Sequence, residues 1–87
     1  MKILMKPIEM IAYFKEEGIP KPIRFRTSSA NGLHRVIKVD KIITKTQEKL
    51  AGNNMYVFRC QSCINGMEKM YELKYELSTC KWFLFKI

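Results

Sequence analysis

Between residues 55 and 76 apolar and polar positions alternate, and the alternation stays coherent when the chain is folded about Asn65-Gly66. A two-residue type I′ turn needs φ > 0 at both central positions, which Asn and Gly tolerate best. Folding there sets Cys60 opposite Tyr71, Phe58 opposite Leu73 and Tyr56 opposite Tyr75 on one face, with Arg59 opposite Glu72 and Met55 opposite Glu76 on the other. A slip of one residue would mix the faces, so turn chemistry and cross-strand pairing specify the same register. A second turn at Leu77-Ser78-Thr79-Cys80 sets Glu76 against Lys81, Tyr75 against Trp82 and Leu73 against Leu84. Residues 67–76 then form the central strand of an antiparallel meander. Its inner face carries Tyr56, Phe58, Tyr71, Leu73, Tyr75, Trp82 and Leu84.

The first half of the chain is less regular. Residues 8–14 read as an amphipathic helix opened by Pro7 and stopped by Gly18, or as a strand with Ile8, Met10, Ala12 and Phe14 on one face. The segment is short for a helix and typical of a strand, and the residues that follow plainly alternate, which favours a hairpin with its loop at 15–20. In the next strand Ile23 and Phe25 point one way while Arg24 and Arg26 point the other. Residues 27–32 make a loop. The β-rich run 33–46 contains Val36, Ile37, Val39, Ile42 and Ile43, which break period two, and a bulge near Ile37-Lys38 would restore it. Residues 47–54 read as a loop returning into Met55. The chain is therefore expected to be all-β, a single domain over 1–87 in which about six strands of a small antiparallel meander form a partly open barrel.

Composition narrows the class. Apolar residues make up 47% and charged residues 28% of the 87 positions, which is globular rather than disordered. A domain of this size buries only about 60% of its unfolded surface, so its stability will be modest or will lean on a partner. No apolar run approaches the roughly 20 residues of a membrane span, and the opening Met1-Lys2-Ile3-Leu4-Met5-Lys6 is too short for a signal-peptide core. Three cysteines, an odd number, do not suggest a secreted disulfide framework. These features read as a soluble cytoplasmic protein without a membrane partner. The net charge of +8 points towards a polyanion.

Pro22-Ile23-Arg24-Phe25-Arg26, then His34-Arg35-Val36 with Val39, then Tyr71-Glu72-Leu73 and Trp82-Phe83-Leu84 resemble a small bacterial domain found beside, or fused to, proteins related to translesion DNA polymerases. The resemblance spans roughly residues 8–87 and rests mostly on core strand positions. It implies an all-β module in a DNA-maintenance setting. The chain departs from the pattern in its longer 47–54 segment and in His34, where an aromatic is usual.

Cys60-Gln61-Ser62-Cys63 has the spacing of half a zinc site, which Cys80 and His34 would complete. Residues three apart on a regular strand point to opposite faces, however, and the second close pair of a zinc knuckle is missing. The thiols read as structural, with no metal or other cofactor expected. His34 is the only histidine, and no GxGxxG, Walker, HExxH or paired-carboxylate motif occurs, so an enzyme is not expected and no catalytic residue is assigned.

Between residues 20 and 46 lie Lys21, Arg24, Arg26, Arg35, Lys38, Lys41 and Lys45 against the single acid Asp40. Arg24, Arg26, Arg35, Lys38 and Lys41 are the candidate contacts to DNA or RNA phosphates, the alternative being a solvated outer face. An exposed aromatic among the arginines would mark single-strand binding, but Phe25 alternates inward. In the last strand, burying Trp82 and Leu84 sends Phe83, Phe85 and Ile87 to the opposite face beside Glu72 and Lys74. That apolar stripe is covered either by residues 1–5 folding back or by a protein partner, most simply the second copy of a homodimer. Three readings follow in order: a non-enzymatic interaction module, a nucleic-acid-binding barrel linked to DNA maintenance, and a small metal-binding or enzymatic domain.

Overall fold

Every regular element among the described residues is a strand: β1 (Ile3–Phe14), β2 (Pro20–Ser28), β3 (His34–Lys38), β4 (Lys41–Leu50), β5 (Asn53–Ile64), β6 (Met67–Glu76) and β7 (Lys81–Lys86). The computed structural model describes residues 1–28 and 32–87. The protein is all-β, with seven antiparallel strands in one sheet curled into a half-barrel, in the order β3-β2-β1-β7-β6-β5-β4. This is chain order rotated. The ends of the chain are joined through β1 and β7, where Lys2 and Ile87 exchange backbone hydrogen bonds of 2.8 and 3.1 Å. The opening falls instead between β3 and β4, which are consecutive in sequence but form no ladder.

The meander β5–β6–β7 follows its letters. Asn65 and Gly66 take φ of 53° and 77°, and the ladder pairs Tyr56 with Tyr75, Phe58 with Leu73, Cys60 with Tyr71 and Arg59 with Glu72. Across the next turn Tyr75 meets Trp82 and Glu76 meets Lys81. Phe58, Cys60, Tyr71, Leu73, Tyr75, Trp82 and Leu84 are buried together with Phe25 and Ile37 from β2 and β3. The rings interlock, with Tyr75 and Trp82 centroids 4.9 Å apart and Phe25 and Tyr71 5.7 Å apart. Burying each such side chain is worth roughly 1.5–3 kcal/mol. The inner face is therefore a filled core.

The chain differs from its sequence reading where backbone irregularities reset the alternation. There are seven strands rather than six. The segment 8–14 is strand, part of a β1 that starts at Ile3. In β2 the bulged residue is Ile23, skipped between the pairs Ile11–Arg24 and Ala12–Pro22, so Pro20 and Pro22 take the inner positions and Ile23 is left exposed. Its predicted partnership with Phe25 on the inner face is lost. Of the expected loop 27–32, Thr27 and Ser28 belong to β2, and 29–31 lie outside the described residues. The run 33–46 is two strands broken at Val39-Asp40, with the bulge at Ile43 and not at Ile37-Lys38. The expected loop 47–54 is the end of β4, a tight turn at Ala51-Gly52 and the start of β5. Both turn residues have positive φ, 50° and 83°.

The corner at Val39-Asp40 is fastened to the core by one hydroxyl. Ser62 is fully buried, and its Oγ donates to the Lys38 carbonyl at 2.7 Å. That leaves Tyr71 Oη to donate to Ser62 Oγ at 2.6 Å, and the Asp40 amide donates to the same oxygen at 3.3 Å. Asp40 Oδ2 in turn accepts from the Cys63 amide at 2.9 Å. The single donor and both acceptor sites of Ser62 are used, as a buried hydroxyl requires. Burial pushes the Tyr71 phenol up to about 12, opposed by its bond to Ser62 and aided by Cys60 and Asp40.

Candidate polyanion-binding face

The inner row Met10–Phe25–Ile37 runs across β1, β2 and β3, and Phe25 and Ile37 are buried. Alternation then dictates what the outer face carries. Glu9 pairs with Arg26 and Arg26 with Val36; Ile11 pairs with Arg24 and Arg24 with Lys38; Tyr13 pairs with Lys21. Ile11, Tyr13 and Val36 are 54%, 59% and 63% exposed, values that place large apolar groups in the open between cations. A groove runs over Glu9, Ile11, Arg24, Arg26 and Val36. Arg26 forms an ion pair with Glu9, both partners exposed. Among the described residues no ion pair is formed by Lys21, Arg24 or Lys38, so these three charges face solvent together. The face combines uncompensated positive charge with apolar and aromatic surface.

Of the residues singled out in the sequence, Arg24, Arg26 and Lys38 come together here. Arg35 does not, because it pairs with Thr27 in the inward-facing series of β3. Lys41 stands beyond the corner, opposite Gln61 at the start of β4. Ile11, Tyr13 and Val36 were not picked out, although putting Ile8, Met10 and Ala12 inward already sends Glu9, Ile11 and Tyr13 outward. The signal was the complement of a face already read.

The Phe83, Phe85 and Ile87 stripe takes another form. Phe85 is a bulge residue, with Glu72 paired to Lys86 and Leu73 to Leu84 on either side of it. The extra residue inverts the alternation behind it. Ile87 consequently packs against the core cluster instead of standing beside Phe83 and Phe85. Those two rings are half-buried rather than wet. Lys74, only 7% exposed, sets its Nζ 3.8 Å from the centre of the Phe85 ring while bonding Glu48 Oε1 and Oε2 at 2.9 and 3.3 Å. Lys86 Nζ approaches the same ring at 5.0 Å. Residues 1–5 do not fold over the stripe, since β1 is added alongside β7.

The candidate zinc ligands are dispersed. Cys60 is buried in the core, where burial pushes its thiol up to about 12, while Cys63 and Cys80 are exposed. His34 opens β3 opposite Ser28. Among the described residues no group of three or more His, Cys, Asp or Glu side chains is placed to hold a metal ion. No protein-family model, curated protein or solved structure matches the chain.

Proposed function

We propose that the protein is a non-enzymatic binding module that takes single-stranded nucleic acid on the outer face of β1–β2–β3. The observation that carries this is Tyr13, an exposed ring paired with Lys21 and two residues along β1 from the Ile11–Arg24–Lys38 row, on the same face. Base stacking on an aromatic ring tolerates any sequence, and cations beside it take the phosphates. Ile11 and Val36 supply apolar floor between them. The DNA-maintenance setting that the residue pattern resembles fits this chemistry. The competing reading as a protein-interaction module rested on Phe83, Phe85 and Ile87, but Lys74 stands over the Phe85 ring, Phe83 is half-buried and Ile87 packs against the core.

Fluorescence anisotropy with a labelled oligo-dT strand tests the assignment. Binding at low salt is expected to weaken as salt rises, with a log–log slope near −2 for about three phosphates neutralised by Lys21, Arg24 and Lys38. Tyr13→Ala should cost about 1–3 kcal/mol of binding free energy. No saturable binding at low salt, or binding indifferent to Tyr13→Ala, overturns the proposal. Tighter binding of polyglutamate than of oligo-dT would assign the face to an acidic protein partner instead.

A further inference from the structure

The sheet has two free edges, β3 and β4, and both border the single opening of the half-barrel. β3 is short at 5 residues, whereas β4 runs for 10 and, past its bulge at Ile43, pairs regularly with β5 as far as Leu50. Among the described residues nothing pairs with the free side of residues 44–50, which leaves a row of backbone donors and acceptors as a template for another strand. Its side chains say which strand. Lys45, Gln47 and Lys49 pair with Phe58, Tyr56 and Asn54, which places them in the inward-facing series at the opening. Arg35 of β3 and Lys6 of β1, which pairs with Leu84, belong to the same series. Among the described residues neither Lys45 nor Lys49 joins an ion pair, and the acid nearest to them on β4, Glu48, is held on the other face by Lys74.

We infer that the free edge of β4 accepts an extended acidic segment of a partner protein, added as an eighth strand along residues 44–50. The added strand carries carboxylates at alternate positions, opposite Lys45 and Lys49, and β-branched residues between them opposite Thr44 and Thr46. Opposite charges directly across a ladder favour pairing and like charges oppose it. The same rule disfavours a second copy of this chain as the occupant. An antiparallel two-fold pairing centred on Gln47 would bring Lys45 and Lys49 of the two copies against one another. The site is separate from the outer face of β1–β3 and does not depend on nucleic-acid binding there.

The probe is a fluorescent, end-capped heptapeptide alternating glutamate with valine and threonine, together with two N-methylated forms of it. One form is methylated on the glutamate amides and the other on the amides between them. A strand added to an edge uses the donors of one side only. One methylated form should therefore bind about tenfold or more weakly, as loss of several backbone bonds requires, while the other binds within about twofold of the parent. Hydrogen exchange should show new amide protection confined to residues 44–50. The Lys45→Glu, Lys49→Glu double variant should exchange preference, losing the glutamate peptide and gaining its lysine counterpart. Equal binding of the two methylated forms would mean attraction by charge alone and overturn the inference. So would protection of residues 44–50 in the free protein with dimerisation in sedimentation, which would make a second copy the occupant.

Discussion

The outer faces of the two halves of the sheet are finished differently. On β4–β7, Lys74 is pinned between Glu48 and the Phe85 ring, Arg59 approaches Glu72 at 3.9 Å, and Gln61 bonds Glu68 at 2.7 Å. These charges have partners, and the Phe85 ring has a cover. On β1–β3, Ile11, Tyr13 and Val36 stand open, and among the described residues Lys21, Arg24 and Lys38 form no ion pair while Arg26 and Glu9 compensate one another. Both halves share one core, so a filled inner face does not require a finished outer one. A surface left open where its neighbour is closed is where a partner gains most, because apolar groups and charges there have not yet been used by the fold.

Breaking the closed half should cost far more stability than altering the open one. The largest effect is expected at high pH. Burial raises Tyr71 and Cys60 to about 12 from ordinary values of 10.0 and 9.0, so the fold favours their neutral forms. That stability is fully present below about pH 9 and is lost as pH rises towards 12. At about 1.4 kcal/mol per pKa unit it amounts to several kcal/mol. Urea unfolding followed by tryptophan fluorescence from pH 8 to 11.5 should show the decline, and Cys60→Ala, though less stable overall, should decline less steeply.

Removing the hydroxyl that fastens the corner comes next. Ser62→Ala strands the Tyr71 phenol, the Asp40 amide and the Lys38 carbonyl, at an expected cost of about 3 kcal/mol. The same urea titration at neutral pH measures it, and an unchanged midpoint would show that the corner is held by other contacts. Glu48→Ala leaves Lys74 unpaired against Phe85. About 2 kcal/mol is expected, below the range for a fully buried pair because Glu48 is partly exposed. On the open half, Tyr13→Ser and Val36→Ser should each move stability by less than about 0.5 kcal/mol. A larger loss from either would mean that the open face belongs to the folded structure after all.

The closed half was also the half legible in the sequence. Asn65-Gly66 announces its turn, and the charged and aromatic pairs on either side agree with it, so local and tertiary preferences coincide. Ala51-Gly52 makes an equally tight turn that its letters hide. Ala at φ 50° bears roughly 1–2 kcal/mol of steric cost, which the β4–β5 ladder outweighs only once it has formed. Ile23, Ile43 and Phe85 each displace the alternation by one residue, and each hid something: the inward Pro22, the inward series Lys45, Gln47 and Lys49, and the packing of Ile87 against the core. Bulges are set by sheet curvature, a property of the assembled strands, so a period-two reading passes through them unaware. For the candidate site, Arg24, Arg26 and Lys38 were visible from charge and parity. Tyr13 was legible as well, as the outward complement of Ile8, Met10 and Ala12 in the strand reading of residues 8–14.

The bond between Lys2 and Ile87 makes the molecule a ring interrupted at one place, with the interruption between β3 and β4 and not at the termini. Topologically, a chain with its ends joined by a short linker and cut instead between Val39 and Asp40 would present its strands in strict nearest-neighbour succession. The β1–β7 ladder, the most distant pairing in sequence, would become a hairpin. Folding rates rise as pairings become local. Such a permuted chain should fold faster than the native one even where loss of the corner leaves it less stable, separating the speed of assembly from the security of the finished sheet.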